Sequence, residues 1–144
     1  MAKPRKNTSV YIIDEDPVSL KKMASLLQNE GYSVTTSTDS SEVMTDIVRK
    51  TPDFVIAELI MPKVDGHMLC KKVLKHKKLR HTKFIIVTAK VYEYDLKRSY
   101  QFGAHGFITK PINKNFVSNF NKILEDQIEL KFWGVRGTLP CSGK

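Results

Sequence analysis

The sequence predicts an α/β fold: a doubly wound, five-stranded parallel sheet with helices on both faces. Two observations carry this prediction. Short apolar or β-branched runs alternate five times with segments whose apolar residues recur at helical spacing, which is typical of a parallel sheet with right-handed crossovers. The run 54–57 is also apolar at every position, as expected for a strand buried on both faces. A length of 144 residues suits one such domain.

The five predicted strands differ in how deeply they should be buried. The second strand is β-branched but half polar, so we place it near an edge of the sheet. The fourth strand is apolar throughout, so we place it centrally. The strands are predicted at 8–13, 32–37, 54–57, 84–88 and 106–109.

Capping and helix-breaking residues bound the predicted helices. Asp16 and Pro17 begin the first helix, and Asp39 or Ser40 caps the second. In the third helix we expect Met68 to face the core together with its apolar neighbours. The first helix is predicted to end at Gly31 and the second before Thr51, and the others are predicted at 67–75, 91–102 and 113–130.

The formal net charge is +9, and the positive residues are concentrated in two places. Residues 1–7 form a basic arm that we expect to be disordered. The segment 71–83 contains further Lys and Arg residues, which usually indicate a solvated face. Because basic surfaces also bind polyanions, a nucleic-acid-binding module remains an alternative interpretation.

Cysteine content and hydropathy predict a cytoplasmic protein. Cys70 lies in a helical pattern and Cys141 in the tail, so we expect no disulfide framework. No signal peptide is recognisable, and no apolar run reaches the roughly 20 residues that a membrane span requires. We therefore expect no membrane partner.

Polar side chains follow the predicted strands where those strands end: Asp14, Glu15, Glu58, Thr88 and Lys110. Because these ends share one edge of a parallel sheet, we expect the five side chains to converge. Three carboxylates there repel one another unless a lysine or a divalent ion such as Mg²⁺ offsets them. A metal ion, a cation and a hydroxyl together suit phosphoryl chemistry. The acidic loop after the first strand excludes a flavin-phosphate loop.

The segment 58–66, Glu-Leu-Ile-Met-Pro-Lys-Val-Asp-Gly, resembles the phosphoacceptor segment of response-regulator receiver domains. The resemblance covers residues 9–130 and includes the acidic pair after strand one, Thr88-Ala89 and Lys110-Pro111. It implies a CheY-like, flavodoxin-like (βα)5 fold, two-component phosphorelay signalling and a sensor histidine kinase as partner. It also implies a cis peptide before Pro111.

The resemblance assigns roles to individual residues. Glu58 takes the phosphoacceptor position, with Thr88 and Lys110 as its catalytic neighbours. Thr88 and Phe107 take the switch positions. The implied Mg²⁺ ligands are three carboxylates and one backbone carbonyl, at Asp14, Glu15, Glu58 and Ile60.

Two departures from the family pattern change the expected function. Glu58 replaces the phosphoacceptor Asp, and Glu15 replaces the second Asp of the acidic pair. Both side chains are one methylene longer, so we predict that Mg²⁺ binding is weakened or abolished and that phosphoryl transfer fails. Two interpretations stay open. Glu58 mimics the phosphorylated state, or the domain is a degenerate receiver that serves for docking or dimerisation.

The C-terminal segment differs in composition from the rest of the chain. Residues 131–144, KFWGVRGTLPCSGK, are predicted to leave the helix, with a strand at 132–133. The segment is similar to the opening strand of some metallo-β-lactamase-fold hydrolases. We therefore divide the chain into the arm 1–7, a receiver domain 8–130, and a linker or first strand of a truncated downstream domain. No hydrolase site is expected within this chain.

Overall fold

The strands form one five-stranded parallel sheet. The computed structural model describes residues 8–89 and 92–133. The sheet order is β2-β1-β3-β4-β5, so the half-polar β2 lies at an edge and the apolar β4 lies inside the sheet, as predicted. The strands are β1 (Ser9–Ile13), β2 (Ser33–Ser37), β3 (Phe54–Ala57), β4 (Lys83–Thr88) and β5 (Gly106–Thr109).

Five α-helices and two short 3₁₀ turns connect the strands. The predicted cap at Asp16 is confirmed, because its carboxylate accepts a hydrogen bond from the amide of Val18. Asp39 caps the 3₁₀ turn Ser40–Glu42 that precedes the second helix. The helices are α1 (Pro17–Asn29), α2 (Val43–Lys50), α3 (Gly66–Lys75), α4 (Glu93–Gln101) and α5 (Asn115–Trp133), and the second 3₁₀ turn is Lys77–Leu79.

The sheet separates two apolar cores. Alternate residues of β1 point to opposite faces: Ile12 packs with α1 and α5, and Ile13 packs with α2 and α3. Phe120 fills the first core, where its ring meets Tyr32 and Phe54 edge to face. With both faces covered by helices, chemistry is confined to the ends of the strands.

Several boundary predictions were wrong for identifiable reasons. α5 continues through Trp133, so the strand predicted at 132–133 is absent; the first glycine after it is Gly134. Asn113 is the cap of α5 and not its first residue, because its side chain accepts from the amide of Asn115. Met68 is 43% exposed, so it does not face the core as predicted.

Three predictions fall outside the described residues. The disordered arm 1–7 and most of the tail lie there, as do residues 90–91, where α4 was predicted to begin. The division into domains therefore stays a prediction. In the described part of the chain, no helix is both long and apolar enough to cross a membrane.

Candidate functional site

The ends of β1 and β3 bring two carboxylates side by side. Ile13 and Ala57 are partners in the sheet register, so the next residues, Asp14 and Glu58, emerge together. The amide of Glu58 continues the ladder by donating to the carbonyl of Ile13 at 3.1 Å. The pair is therefore positioned by backbone pairing.

A lysine reaches the same place from the end of β5. Thr88 and Thr109 are register partners at the ends of β4 and β5, and the amide of Lys110 donates to the carbonyl of Thr88 at 2.9 Å. The peptide between Lys110 and Pro111 is cis, as the resemblance implied. The pairing of β5 with β4 thus fixes the position from which the Lys110 side chain extends.

The lysine bridges the two carboxylates. Lys110 Nζ lies 2.8 Å from Asp14 Oδ2 and 2.7 Å from Glu58 Oε1. All three side chains are largely buried: the exposed fractions are 13% for Lys110, 1% for Asp14 and 11% for Glu58. Asp14 Oδ2 has no aligned hydrogen-bond donor, so its contact with the lysine is an ion pair without good hydrogen-bond geometry.

The second oxygen of each carboxylate is held by a nearby backbone amide. Asp14 Oδ1 accepts from the amide of Asp16 at 2.9 Å, and Glu58 Oε2 accepts from the amide of Ile60 at 3.1 Å. Each acid therefore has one oxygen on the lysine and the other on its own loop. This leaves both side chains with a fixed orientation.

Burial and pairing shift the ionisation of this cluster. Burial is the largest influence on Asp14 and raises its pKa, even though Lys110 and the amide of Asp16 act in the opposite direction. Burial lowers the pKa of Lys110, but the two carboxylates outweigh it and the net pKa is raised. Lys110 is therefore held as a cation, and one positive charge faces two acidic groups.

The loop from Glu58 to α3 closes tightly under the site. Asp65 caps α3 by accepting from the amide of His67 at 2.7 Å, and the amide of Gly66 donates to the carbonyl of Leu59 at 2.9 Å. A Cβ on Gly66 would lie 2.6 Å from the carbonyl oxygen of Glu58. The Asp-Gly pair is thus needed for the helix to approach the acceptor position.

Glu15 does not join the lysine-bridged pair. Its Oε2 accepts from the hydroxyl of Ser40 at 2.8 Å and lies 3.4 Å from the amide of Ser40. Ser40 is buried at the start of the 3₁₀ turn before α2. The carboxylate of Glu15 therefore ties the β1–α1 loop to the start of that turn.

The remaining predicted residues lie around this edge. Thr88 is buried at the end of β4, and Phe107 is partly buried in β5 against the core on the α2 and α3 face. Ile60 is exposed in the loop after β3, two residues beyond Glu58. Asp16 is occupied as a cap, since its second oxygen accepts from Ser19 Oγ at 2.8 Å.

These side chains, as they are placed, do not fit a divalent ion. Mg²⁺ takes carboxylate oxygens and water in near-ideal octahedral geometry. Here Lys110 already lies between Asp14 and Glu58, and Glu15 is turned to Ser40. Within residues 8–89 and 92–133, no three Asp, Glu, His or Cys side chains are grouped to hold a metal.

Sequence reasoning missed a buried polar contact between α3 and α4. His67 Nε2 lies 2.8 Å from Ser99 Oγ, and that hydroxyl donates to the carbonyl of Asp95 at 2.9 Å. The ring of His67 also stacks on Phe102, and burial lowers its pKa. The helix predicted at 67–75 already placed His67 in the first turn of α3, but nothing in the sequence indicated its partner.

Comparison with known proteins identifies the family. Residues 10–119 match the response regulator receiver domain model. The chain belongs to the response regulator receiver domain family. The receiver domain is 28% identical over 112 residues to the alkaline phosphatase synthesis transcriptional regulatory protein PhoP of Bacillus subtilis, a match that covers 78% of this chain and 46% of PhoP. It is 28% identical over 120 residues to the polar-differentiation response regulator DivK of Brucella ovis, covering 82% and 97%.

Solved structures share the same fold. The CheY4 chemotaxis response regulator of Vibrio cholerae superposes with a TM-score of 0.75 at 21% identity, covering 81% of this chain and 98% of that one. A CheY-like receiver domain protein of Methanospirillum hungatei gives 0.75 at 23% identity, covering 85% and 98%. The flavodoxin-like, doubly wound fold predicted from the sequence is thereby confirmed.

The relatives differ in how much of their length is matched. The chain spans 46% of PhoP and 23% of the response regulator PleD of Caulobacter vibrioides, but nearly all of DivK. Receiver domains of two-component systems interact with histidine kinases or other proteins and typically bind Mg²⁺ at the phosphorylation site. Which of these properties this chain retains depends on its own residues.

Proposed function

We propose that this receiver domain signals without phosphoryl transfer, because Glu58 partly mimics the phosphorylated acceptor. One observation carries the proposal: Glu58 Oε1 lies 2.7 Å from Lys110 Nζ. The longer side chain thus places a negative group directly on the cation of the site. In this view the domain is biased towards its active arrangement in the absence of a kinase.

The geometry disfavours phosphorylation of Glu58 itself. The extra methylene displaces the carboxylate by about 1.5 Å relative to an aspartate, the length of one C–C bond. A misplacement of about 1 Å costs on the order of 10²-fold in rate. The position of Glu15 on Ser40 adds to this barrier, because it removes a carboxylate from the implied metal position.

Intact mass spectrometry after incubation with acetyl phosphate and Mg²⁺ tests the proposal. The samples are the unmodified chain, Glu58→Asp, and the double variant Glu15→Asp with Glu58→Asp. We expect no phosphoryl adduct on the unmodified chain and an adduct on the double variant. An adduct on the single variant Glu58→Asp would show that Glu58 by itself prevents phosphorylation and that Glu15 does not.

Two outcomes count against the proposal. A phosphoryl adduct on the unmodified chain would overturn it, because the site would then accept the group despite its glutamate. The absence of an adduct from both variants would show that the edge has lost more than its acceptor. That result would favour the second candidate function.

The second candidate is a degenerate receiver that serves only for docking or dimerisation. The same geometry favours it in one respect, because Lys110 is held by two acids at once. A ligand or substitution shifts a conformational equilibrium only when it interacts differently with the two states.

Backbone NMR of Glu58→Gln separates the candidates. A mimic predicts shift changes that spread to Thr88 and Phe107, whereas a locked module predicts changes confined to residues beside Glu58.

The proposal extends to partners and to chemistry. We infer that the chain is regulatory and carries no reaction of its own, with any catalysis left to a downstream domain. Its partner would be a sensor histidine kinase, that downstream domain or a second copy of the chain, in the cytoplasm. Size-exclusion chromatography with light scattering on the unmodified chain and on Glu58→Gln would test whether association with a second copy depends on Glu58.

A further inference from the structure

Most of the net positive charge of the chain lies in one short segment. Residues 71–83 contain seven Lys or Arg side chains and no acid, so they contribute +7 of the net +9, and the other 131 residues sum to +2. This segment covers the end of α3, the 3₁₀ turn Lys77–Leu79 and the start of β4. We call it the basic end. Because β4 starts here, the basic end lies at the opposite edge of the sheet from the acids at the strand ends.

Six of the seven Lys and Arg side chains of the basic end are exposed. In the described part of the chain, no acidic side chain forms an ion pair with any of its seven Lys and Arg residues. Asp53, which precedes β3 at this edge, accepts from the amide of Ser9 at 2.9 Å, and its other oxygen lies 3.9 Å from Nε2 of His81 in the basic end. The exposed cations are Lys71, Lys72, Lys75, Lys77, Lys78 and Arg80.

The backbone that presents these cations is fixed. Val73 and Leu79 are buried in the core between the cations, so the segment cannot lift from the sheet without exposing them. His76 caps the 3₁₀ turn, since its Nδ1 accepts from the amide of Lys78 at 3.1 Å. Several positive charges are thus held in one arrangement.

Helix stability accounts for only part of this charge. Lys72 and Lys75 lie in the last turn of α3, where cations interact favourably with the helix dipole. Lys77, Lys78 and Arg80 lie beyond the helix and gain nothing from it. The excess of lysine there indicates a function other than helix capping.

The residue types indicate which anion fits. Six of the seven cations are lysine, a point charge that can neutralise phosphate but lacks the bidentate fork with which arginine reads a guanine edge. The segment contains no Phe, Tyr or Trp side chain on which a base could stack. We propose that the basic end binds the phosphate backbone of nucleic acid without reading its sequence.

Fluorescence anisotropy with the full chain and a labelled mixed-sequence DNA duplex tests this proposal. One variant carries Lys71→Gln, Lys75→Gln and Lys78→Gln. The matched control carries Lys21→Gln, Lys22→Gln and Lys97→Gln, which removes the same charge from other exposed positions of α1 and α4. Circular dichroism melts confirm that both variants remain folded.

We expect binding to weaken as salt rises, with a slope of log K against log salt of about −0.9 per phosphate contact. The basic-end variant should lose about three units of that slope and at least about tenfold in affinity at low salt. The control should change affinity less than about twofold. The basic arm 1–7 is the same in all samples, so it cannot produce the difference.

Three results would overturn the proposal. No salt-dependent binding to the duplex would remove its basis. An equal loss in both variants would show that net charge alone is responsible. Tighter binding to polyglutamate or to anionic lipid vesicles than to the duplex would assign the surface to an acidic protein or a membrane. None of these results bears on phosphorylation, so this proposal and that of a mimicking receiver fail separately.

Discussion

The two ends of the sheet carry charge in opposite ways. At the strand ends, Asp14, Glu58 and Lys110 are largely buried, and Lys110 Nζ lies within 2.8 Å of an oxygen of each acid. At the basic end, the six exposed cations have no acidic partner among the described residues. A buried charge depends for its free energy on its partner, whereas an exposed charge keeps its hydration and acts at a distance. We therefore expect the first arrangement to govern stability and conformation, and the second to govern association.

The largest expected effect comes from removing the shared cation. In Lys110→Met, Asp14 and Glu58 would remain buried without a partner, so we expect the free energy of unfolding at neutral pH to fall by about 3 kcal/mol. Urea unfolding followed by circular dichroism measures this. The deficit should shrink as pH falls towards about 4, because burial raises the pKa of Asp14 and a protonated carboxylic acid needs no cation.

Lys97→Met is the matched control for the lysine. Lys97 Nζ lies 3.6 Å from Glu93 Oε2 on the surface of α4, and exposed pairs of this kind contribute about 0.5 kcal/mol or less. If the two variants lose the same free energy, the bridge at the strand ends is no stronger than a surface pair. The comparison between the two ends of the sheet would then fail.

Sequence reasoning succeeded where a repeating pattern determines structure. β3 was predicted with its observed bounds, because a run of four apolar residues between turn residues has few alternatives. The approach of Asp14, Glu58 and Lys110 followed from the rule that parallel strands end at one edge. The first prediction required only the apolar pattern of the run, and the second only the order of strands and helices.

Sequence reasoning failed where the outcome depends on one side-chain direction or one helix rotation. Nothing in the sequence indicates that Glu15 turns to Ser40, because the two residues are 25 positions apart and meet only through the placement of the 3₁₀ turn. Met68 fits a helical apolar stripe, but the observed rotation of α3 buries its neighbours Leu69 and Cys70, as predicted, and leaves Met68 exposed. Such features follow from packing and not from periodicity.

A histidine connects the basic end to stability. His105 Nδ1 accepts from the amide of Phe84 at 3.0 Å, and burial followed by the charge of Lys83 lowers its pKa to about 4. The ordinary value is 6.5, so between pH 6.5 and about 4 the unfolded chain binds more protons than the folded chain. The free energy of unfolding should therefore fall as pH falls through this range, by at most about 3 kcal/mol in all.

Two variants check the pH effect. His105→Gln keeps an acceptor for the amide of Phe84 but does not titrate, so its free energy of unfolding should vary less between pH 6.5 and about 4. Lys83→Gln should bring the pKa of His105 closer to its ordinary value and reduce the same variation. Lys78→Gln, at another lysine of the basic end, is the control. Unchanged pH dependence in His105→Gln would contradict the assignment.

A smaller effect is expected from the tie between Glu15 and the 3₁₀ turn. Ser40→Ala removes the hydroxyl donor and leaves the carboxylate of Glu15 with a weak contact to an amide. We expect a loss of about 1 kcal/mol in the free energy of unfolding, typical for one hydrogen bond to a charged group at a partly exposed site. Ser25→Ala, on the exposed side of α1, is the control and should lose nothing. If Ser40→Ala leaves the free energy of unfolding unchanged, the direction of the Glu15 side chain is not maintained by this contact.

The smallest expected effect on stability comes from the basic end. Lys71→Gln, Lys75→Gln and Lys78→Gln together remove three exposed charges that repel one another and have no acidic partner among the described residues. The loss of one favourable contact with the dipole of α3, at Lys75, opposes the relief of that repulsion. We therefore expect the free energy of unfolding to change by about 0.5 kcal/mol or less, in urea unfolding at low salt. A larger loss would show that these lysines stabilise the fold, and the basic end would then need no binding partner to explain it.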